Sequence, residues 1–97
     1  YFIHGLGHWL GLDVHDVGDY HINENKEQCR EFSAGMVLTI EPGLYMPSDD
    51  YDLAEKWRGI GIRIEDNIVV TEHGYENLTV NSPRTINEIE ALMKNNI

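Results

Sequence analysis

Three histidines and two glutamates are the residues here whose types and spacing could do chemistry. His4 and His8 lie four apart and His15 follows seven later, within a glycine-rich run from Tyr1 to Gly18. Glycines at 5, 7 and 11 remove side-chain bulk, so backbone and imidazoles can approach a shared centre closely. Glu41 and Glu65 each end an apolar β-rich run, Val37-Leu38-Thr39-Ile40 before one and Ile62-Arg63-Ile64 before the other. A carboxylate carried into such surroundings loses hydration that a cation or good donors must replace. Arg63 alternates onto the face of Glu65 and supplies one such cation. Taken singly, each Glu fits a buried Arg–Glu pair or a strand end that reaches water, and a lone His fits a satisfied core residue. Taken together they read as a polar site, because neutral imidazole plus carboxylate is the ligand set of divalent Mn, Co, Zn or Fe.

Other chemistries find no support. A single cysteine, Cys29, excludes zinc-finger ligation and an intrachain disulfide framework. It lies in a polar stretch, reads as an incidental surface thiol, and fits a reducing, cytoplasmic setting. The Asp49-Asp50-Tyr51-Asp52 run lacks the spacing and central glycine of an EF-hand loop. His-Glu-x-x-His, Gly-x-Ser-x-Gly and a P-loop are absent. Seven Lys+Arg against seventeen Asp+Glu leave a net charge of −10, which argues against nucleic-acid and anionic-membrane partners. No apolar run approaches the ~18 residues that span a bilayer, and none reads as a secretory signal.

The elements that must position these side chains are short. At 97 residues the chain is at most one domain, with an ordinary globular balance of 41% hydrophobic and 25% charged residues. Such a length is expected to bury about 60–70% of its unfolded surface around one modest core. The glycines argue against a long helix at the start, and 19–34 reads as a surface loop. Residues 36–41 predict a strand that stops at a Pro42-Gly43 turn, and the acidic stretch 46–58 reads as a solvated loop. Residues 59–71 predict a ribbon bent at Asp66-Asn67, then a hairpin tip at Glu72-His73-Gly74 and a short strand over 77–80. Thr85-Ile86-Asn87-Glu88 has the form of a capping box, and Ile86, Ile89, Leu92 and Met93 share one helical face, so the end predicts a helix packed on a sheet.

The motifs also carry a family resemblance. His4-Gly-Leu-Gly-His8-Trp-Leu-Gly-Leu-Asp-Val-His15-Asp-Val-Gly18 resembles the histidine segment of Xaa-Pro aminopeptidases (aminopeptidase P), dinuclear metallopeptidases of the pita-bread fold. Gly35-Met-Val-Leu-Thr-Ile-Glu41-Pro-Gly-Leu-Tyr45 is similar to their next metal segment, and Trp57-Arg-Gly-Ile-Gly-Ile-Arg63-Ile-Glu65-Asp66 to the last. Asn77-Leu-Thr and Glu88-Ile-Glu-Ala-Leu-Met resemble their C-terminal end. The match runs in order through nearly the whole chain, interrupted chiefly at 19–34 and before Trp57.

The resemblance implies an α+β fold, the C-terminal half of a pita-bread domain, with a curved antiparallel sheet and a C-terminal helix. It implies that His8 and Glu41 are ligands of one metal and that Glu65 bridges two. His4 and His15 match histidines that line the substrate site, and Arg63 a site arginine that orients its neighbours. Glu41 is then the candidate general base, and His4 or His15 the donor to a developing oxyanion. The family's two aspartate ligands have no counterpart, and Asp13 and Asp16 belong to the matched histidine segment, so neither fills the gap.

Residues 1–97 are therefore expected to be the C-terminal portion of one catalytic domain, which suits a chain that begins Tyr1-Phe2-Ile3-His4. The implied activity is release of the N-terminal residue from peptides with proline second, with two divalent ions, manganese before cobalt or zinc. The intact protein is expected to be a cytoplasmic homo-oligomer. The 97 residues alone are expected to be inactive, to expose apolar surface and to self-associate. Prolidase shares these motifs, and Pro83-Arg84-Thr85 leans that way; His8-Trp9 and the Trp57–Arg63 stretch lean to aminopeptidase P. A pita-bread binding module without catalysis, or a small α+β interaction domain, are the readings from other classes.

Overall fold

The computed structural model describes residues 1–95. Five strands, a single 3-10 turn and a helix follow in order: β1 (Val37–Ile40), β2 (Gly43–Tyr45), the turn Glu55–Trp57, β3 (Gly61–Arg63), β4 (Asp66–Thr71), β5 (Gly74–Asn77) and α1 (Ile86–Asn95). One antiparallel sheet has the order β1-β4-β5, and β2 pairs with β3 in a second.

The two sheets are one ribbon with a break in it. Ile40 lies opposite Asp66 in the first sheet and Gly43 opposite Arg63 in the second, so a single register runs through both. That register sets Pro42 opposite Ile64 and Glu41 opposite Glu65. The Ile64 N–H donates to the Pro42 carbonyl at 3.1 Å. Proline has no N–H to return the bond, so the ladder fails at this pair and the ribbon bends. The bend thus falls at Ile64-Glu65, not at Asp66-Asn67, where the ladder is intact. β1 stops just ahead of Pro42-Gly43 as expected, but no turn follows: β2 resumes at Gly43 in the same register.

The histidine segment runs antiparallel along the free edge of β1. Thr39 N–H donates to the His8 carbonyl at 2.9 Å, Leu10 N–H to Val37 at 3.1 Å and Glu41 N–H to Leu6 at 2.7 Å. This is an edge strand in hydrogen bonding, though glycines keep it irregular. Gly7 is required for the approach: a Cβ there would sit 1.9 Å from the Thr39 carbonyl oxygen. Further upstream, Tyr45 N–H donates to the Tyr1 carbonyl and the Tyr1 hydroxyl to Asp50 at 2.7 Å, tying the chain start to the 46–58 loop. This bond raises the Tyr1 phenol's pKa and lowers that of the Asp50 carboxyl.

The hairpin turns at Glu72-His73, but β5 occupies 74–77 rather than 77–80. Thr79 explains the stop: its hydroxyl accepts the Asn67 N–H and its own N–H donates to the Asn77 side chain, which curls 77–79 into a turn. The capping box forms as written, with Glu88 N–H donating to Thr85 Oγ1 at 3.2 Å and Thr85 N–H to Glu88 Oε2 at 2.9 Å.

The modest core expected from length and composition is not there. Burial centres on Leu38 and Thr39. The radius of gyration is 17.4 Å, against about 12–13 Å for a compact chain of this length. Accessible surface is 8095 Å², where about 5,700 Å² is usual for this mass. The apolar face of α1 is open rather than packed, with Ile86, Ile89, Leu92 and Met93 44% to 75% exposed. Phe2, Leu6, Leu44, Ile62 and Ile64 line an open apolar hollow on the β2–β3 ribbon. Exposed apolar surface on this scale is what the sequence reading anticipates.

Candidate metal centre

Glu41 and Glu65 occupy the break in the ribbon. They form a non-hydrogen-bonded antiparallel pair, the kind that brings opposed residues closest, on one face. Like charges so placed repel unless a cation joins them. Arg63, two residues before Glu65, gives part of the answer: its Nε lies 3.4 Å from Glu65 Oε2 and 3.9 Å from Glu41 Oε2. The guanidinium is half exposed and meets both carboxylates at long range, so it screens the pair without saturating it.

His8 completes the group from the edge segment. Its N–H donates to Thr39 Oγ1 at 3.1 Å, and Nδ1 lies 2.9 Å from the Trp9 carbonyl. A carbonyl only accepts, so Nδ1 carries the proton and Nε2 presents a lone pair. That nitrogen lies 3.4 Å from Glu41 Oε1, with both side chains enclosed at 14% and 13% exposure. Ligand atoms of His8, Glu41 and Glu65 all lie within 4.8 Å of one another. One imidazole and two carboxylates, with the tautomer set for ligation and a surplus of negative charge, fit a divalent cation and leave positions open for other ligands.

The remaining histidines take different places. His15 stacks edge-on against His8, with ring centroids 4.3 Å apart. His4 has Nδ1 on the Gly5 carbonyl at 2.8 Å and Nε2 on the Tyr45 hydroxyl at 2.6 Å. By the same reasoning Tyr45 donates to Nε2. Neither His4 nor His15 belongs to the 4.8 Å group. Thr39 and Tyr45, which hold His8 and His4, carry no side-chain type that marks them as site residues in the sequence. Thr39 had a signal, since strand alternation puts it on the face of Glu41; for Tyr45 only its place at the end of the 35–45 motif spoke.

Next to Glu65, Asp66 is held below the usual carboxylate range by the Thr79 hydroxyl first and the Arg84 guanidinium second. No local pattern marks this network, because its members come from β4 and from the connection between β5 and α1.

The family model that matches this chain is that of metallopeptidase family M24, over residues 1–72. The chain belongs to family M24. Its histidine segment, β1 and the β3–β4 bend all lie within the matched residues, and divalent-metal chemistry is what a metallopeptidase family implies. Among relatives, the Xaa-Pro aminopeptidase of Escherichia coli is 57% identical over 93 residues, 96% of this chain and 20% of the relative. The structure of the Pseudomonas aeruginosa aminopeptidase PepP superposes with a TM-score of 0.87 at 51% identity, covering 97% of this chain and 21% of that one. Aminopeptidase P of E. coli, solved with the inhibitor Pro-Leu, gives 0.83 at 56% identity over 98% of this chain and 20% of that one. The chain thus spans about a fifth of the length of the M24 proteins it matches. Its curved antiparallel sheet and C-terminal helix are α+β and take the pita-bread fold of these neighbours, as the motifs imply.

Proposed function

We propose that the intact protein is a dinuclear metal-dependent aminopeptidase that releases the N-terminal residue from peptides with proline in second position. Residues 1–97 are then the C-terminal portion of its one catalytic domain, and two aspartate ligands come from outside them. The observation that carries this reading is the convergence of His8 Nε2 with the facing carboxylates of Glu41 and Glu65 within 4.8 Å. The Pro-Leu inhibitor of the E. coli enzyme supports a proline-containing peptide as the substrate class.

His8, Glu41 and Glu65 would hold the metal. Manganese is the first candidate and cobalt or zinc the alternatives, all accepted by such a donor set. When bound, two divalent ions supply Lewis acidity, which lowers the pKa of a coordinated water toward neutrality and polarises a carbonyl. Glu41 would serve as general base for the water proton. Arg63 keeps both carboxylates oriented from the open side. His4 and His15 would line the substrate side; of the two, His15, edge-on to His8, is the donor to oxygen as charge develops there, because both ring nitrogens of His4 are taken up by the Gly5 carbonyl and the Tyr45 hydroxyl.

The exposed free thiol of Cys29 suits a cytoplasmic location, and among the described residues no helix is long and apolar enough to cross a membrane. The intact protein is a homo-oligomer in this reading. The 97 residues alone, with three ligands of five, have negligible peptidase activity.

The test is hydrolysis of an Xaa-Pro-Yaa tripeptide and an Xaa-Pro dipeptide by the intact, Mn²⁺-loaded protein. The tripeptide is cleaved, and Glu41→Gln slows it by about 10²- to 10⁴-fold. Cleavage of the dipeptide alone would move the assignment to prolidase, and wild-type rates in Glu41→Gln would remove Glu41 from the chemistry.

A further inference from the structure

Arg84 lies outside the ligand set and plays no part in the reaction above, yet its contacts end beside a ligand. It stands two residues before α1. One guanidinium nitrogen pairs with Asp66 Oδ2, and Nη2 donates to the Thr79 carbonyl at 3.0 Å. The other Asp66 oxygen accepts the Thr79 hydroxyl at 2.8 Å, and that hydroxyl in turn accepts the Asn67 N–H at 3.1 Å. Asp66 is immediately next to Glu65, and the Arg84–Asp66 pair is partly buried.

Glu65 needs such support. Ile64 and Glu65 fall between β3 and β4, where no sheet ladder holds the backbone. On the upstream side a single bond, Ile64 N–H to the Pro42 carbonyl, fixes the chain. On the downstream side Asp66 opens β4 with its backbone paired to Ile40, and its side chain, which fixes the approach from Glu65, is held by Arg84 and Thr79. Arg63, Glu65, Pro83 and Arg84 also line one small hollow, so the turn before α1 packs directly against the bend.

We propose that Arg84 is a positioning residue for Glu65. Acting through Asp66, it sets the backbone at 65–66 and so the direction in which the Glu65 carboxylate meets the metal. This rests on the reading of His8, Glu41 and Glu65 as metal ligands. Energetics point away from a purely structural pair: a shielded ion pair adds little net stability, whereas groups that orient ligands govern metal affinity strongly. The guanidinium matters as a fork, since it spans Asp66 and the Thr79 carbonyl at once, which an ammonium cannot do in the same geometry.

The experiment is calorimetric titration of Mn²⁺ into the metal-stripped intact protein, with the Mn²⁺ electron paramagnetic resonance spectrum recorded for each variant. Arg84→Ala weakens Mn²⁺ binding about 10- to 100-fold and alters the spectrum. Arg84→Lys, the milder change, folds and gives an intermediate Kd. Thr85→Ala loosens the α1 cap without touching Asp66; it lowers the thermal midpoint and leaves the Kd unchanged. A wild-type Kd in the Arg84 variants that fold, while wild type binds Mn²⁺, overturns the positioning role and leaves the metal site standing. Equal weakening by Arg84→Ala and Thr85→Ala overturns it in favour of stability alone. Absence of Mn²⁺ binding by wild type overturns both readings.

Discussion

Glu41 and Glu65 face each other across a break in one antiparallel ribbon, Glu41 directly after β1 and Glu65 directly before β4. The break itself follows from Pro42, whose missing N–H removes the ladder bond beside them. Two carboxylates and an imidazole nitrogen therefore meet where the backbone is least committed to sheet pairing.

That relationship makes a prediction for the metal-free protein. Opposed like charges cost about 0.2–1 kcal/mol, so Glu65→Gln should hold or raise the thermal midpoint in EDTA. The same variant should lose most of the stabilisation that Mn²⁺ gives wild type, which is about 2.7 kcal/mol at a hundredfold excess over Kd. Thermal scans with and without Mn²⁺ read both effects; a midpoint that falls in EDTA would show that the pair is content without a cation.

Gly7 is the second point of attack. An alanine Cβ, rigidly fixed to its own backbone, would meet the backbone carbonyl oxygen of Thr39 at 1.9 Å. Gly7→Ala should therefore push the histidine segment off β1, cost about 3 kcal/mol as severe overpacking does, and carry His8 away from Glu41. Urea unfolding and Mn²⁺ titration of the variant check the two consequences separately; a wild-type result in both would mean that the edge segment is free to shift.

The cap of α1 carries a pH dependence. Glu88 accepts the Thr85 and Arg84 N–H groups and the Thr85 hydroxyl, which hold its carboxyl below the ordinary range, the Thr85 N–H most of all. A depressed carboxylate contributes stability that is present above its unfolded value of about 4.3 and is lost as pH falls through the lower, folded value. Helix fraying should thus begin only below the ordinary glutamate range, and Glu88→Gln should abolish that step. Thr85→Ala should destabilise the helix by about 1 kcal/mol at neutral pH. Carbon-detected titration of Glu88 tests the sign: a midpoint at or above 4.3 would contradict it.

Much of this arrangement is legible in the sequence, and what is not has a physical reason. Val37–Ile40 shows as a strand because its apolar residues end at a carboxylate, and α1 because Thr85 and Glu88 stand at capping distance. The bend at Ile64-Glu65 is invisible locally, since the residue that causes it, Pro42, is on the partner strand. β5 is displaced from the expected 77–80 because the Thr79 hydroxyl captures the Asn67 N–H, a contact between turn and strand. His8, Glu41 and Glu65 are recognisable from the order of their motifs. Thr39, Tyr45 and Arg84 act through tertiary register, which no local pattern carries.

The open apolar faces lead to a prediction about the segment in isolation. Ile86, Leu92 and Met93 on α1 and the Phe2–Leu44–Ile62 hollow exceed what a small monomer leaves exposed. Expressed alone, residues 1–97 should self-associate with rising concentration. Light scattering across a dilution series is the check, and a constant monomer mass would show that these faces need no cover.

The proposed activity depends on a divalent ion held by His8, Glu41 and Glu65. The most direct measurement is an anomalous difference map at the manganese edge from crystals of the intact protein grown with Mn²⁺. A peak is expected about 2.0–2.4 Å from His8 Nε2 and from carboxylate oxygens of Glu41 and Glu65. Density bridging those three residues without an anomalous signal, or a manganese peak bound elsewhere, would contradict it.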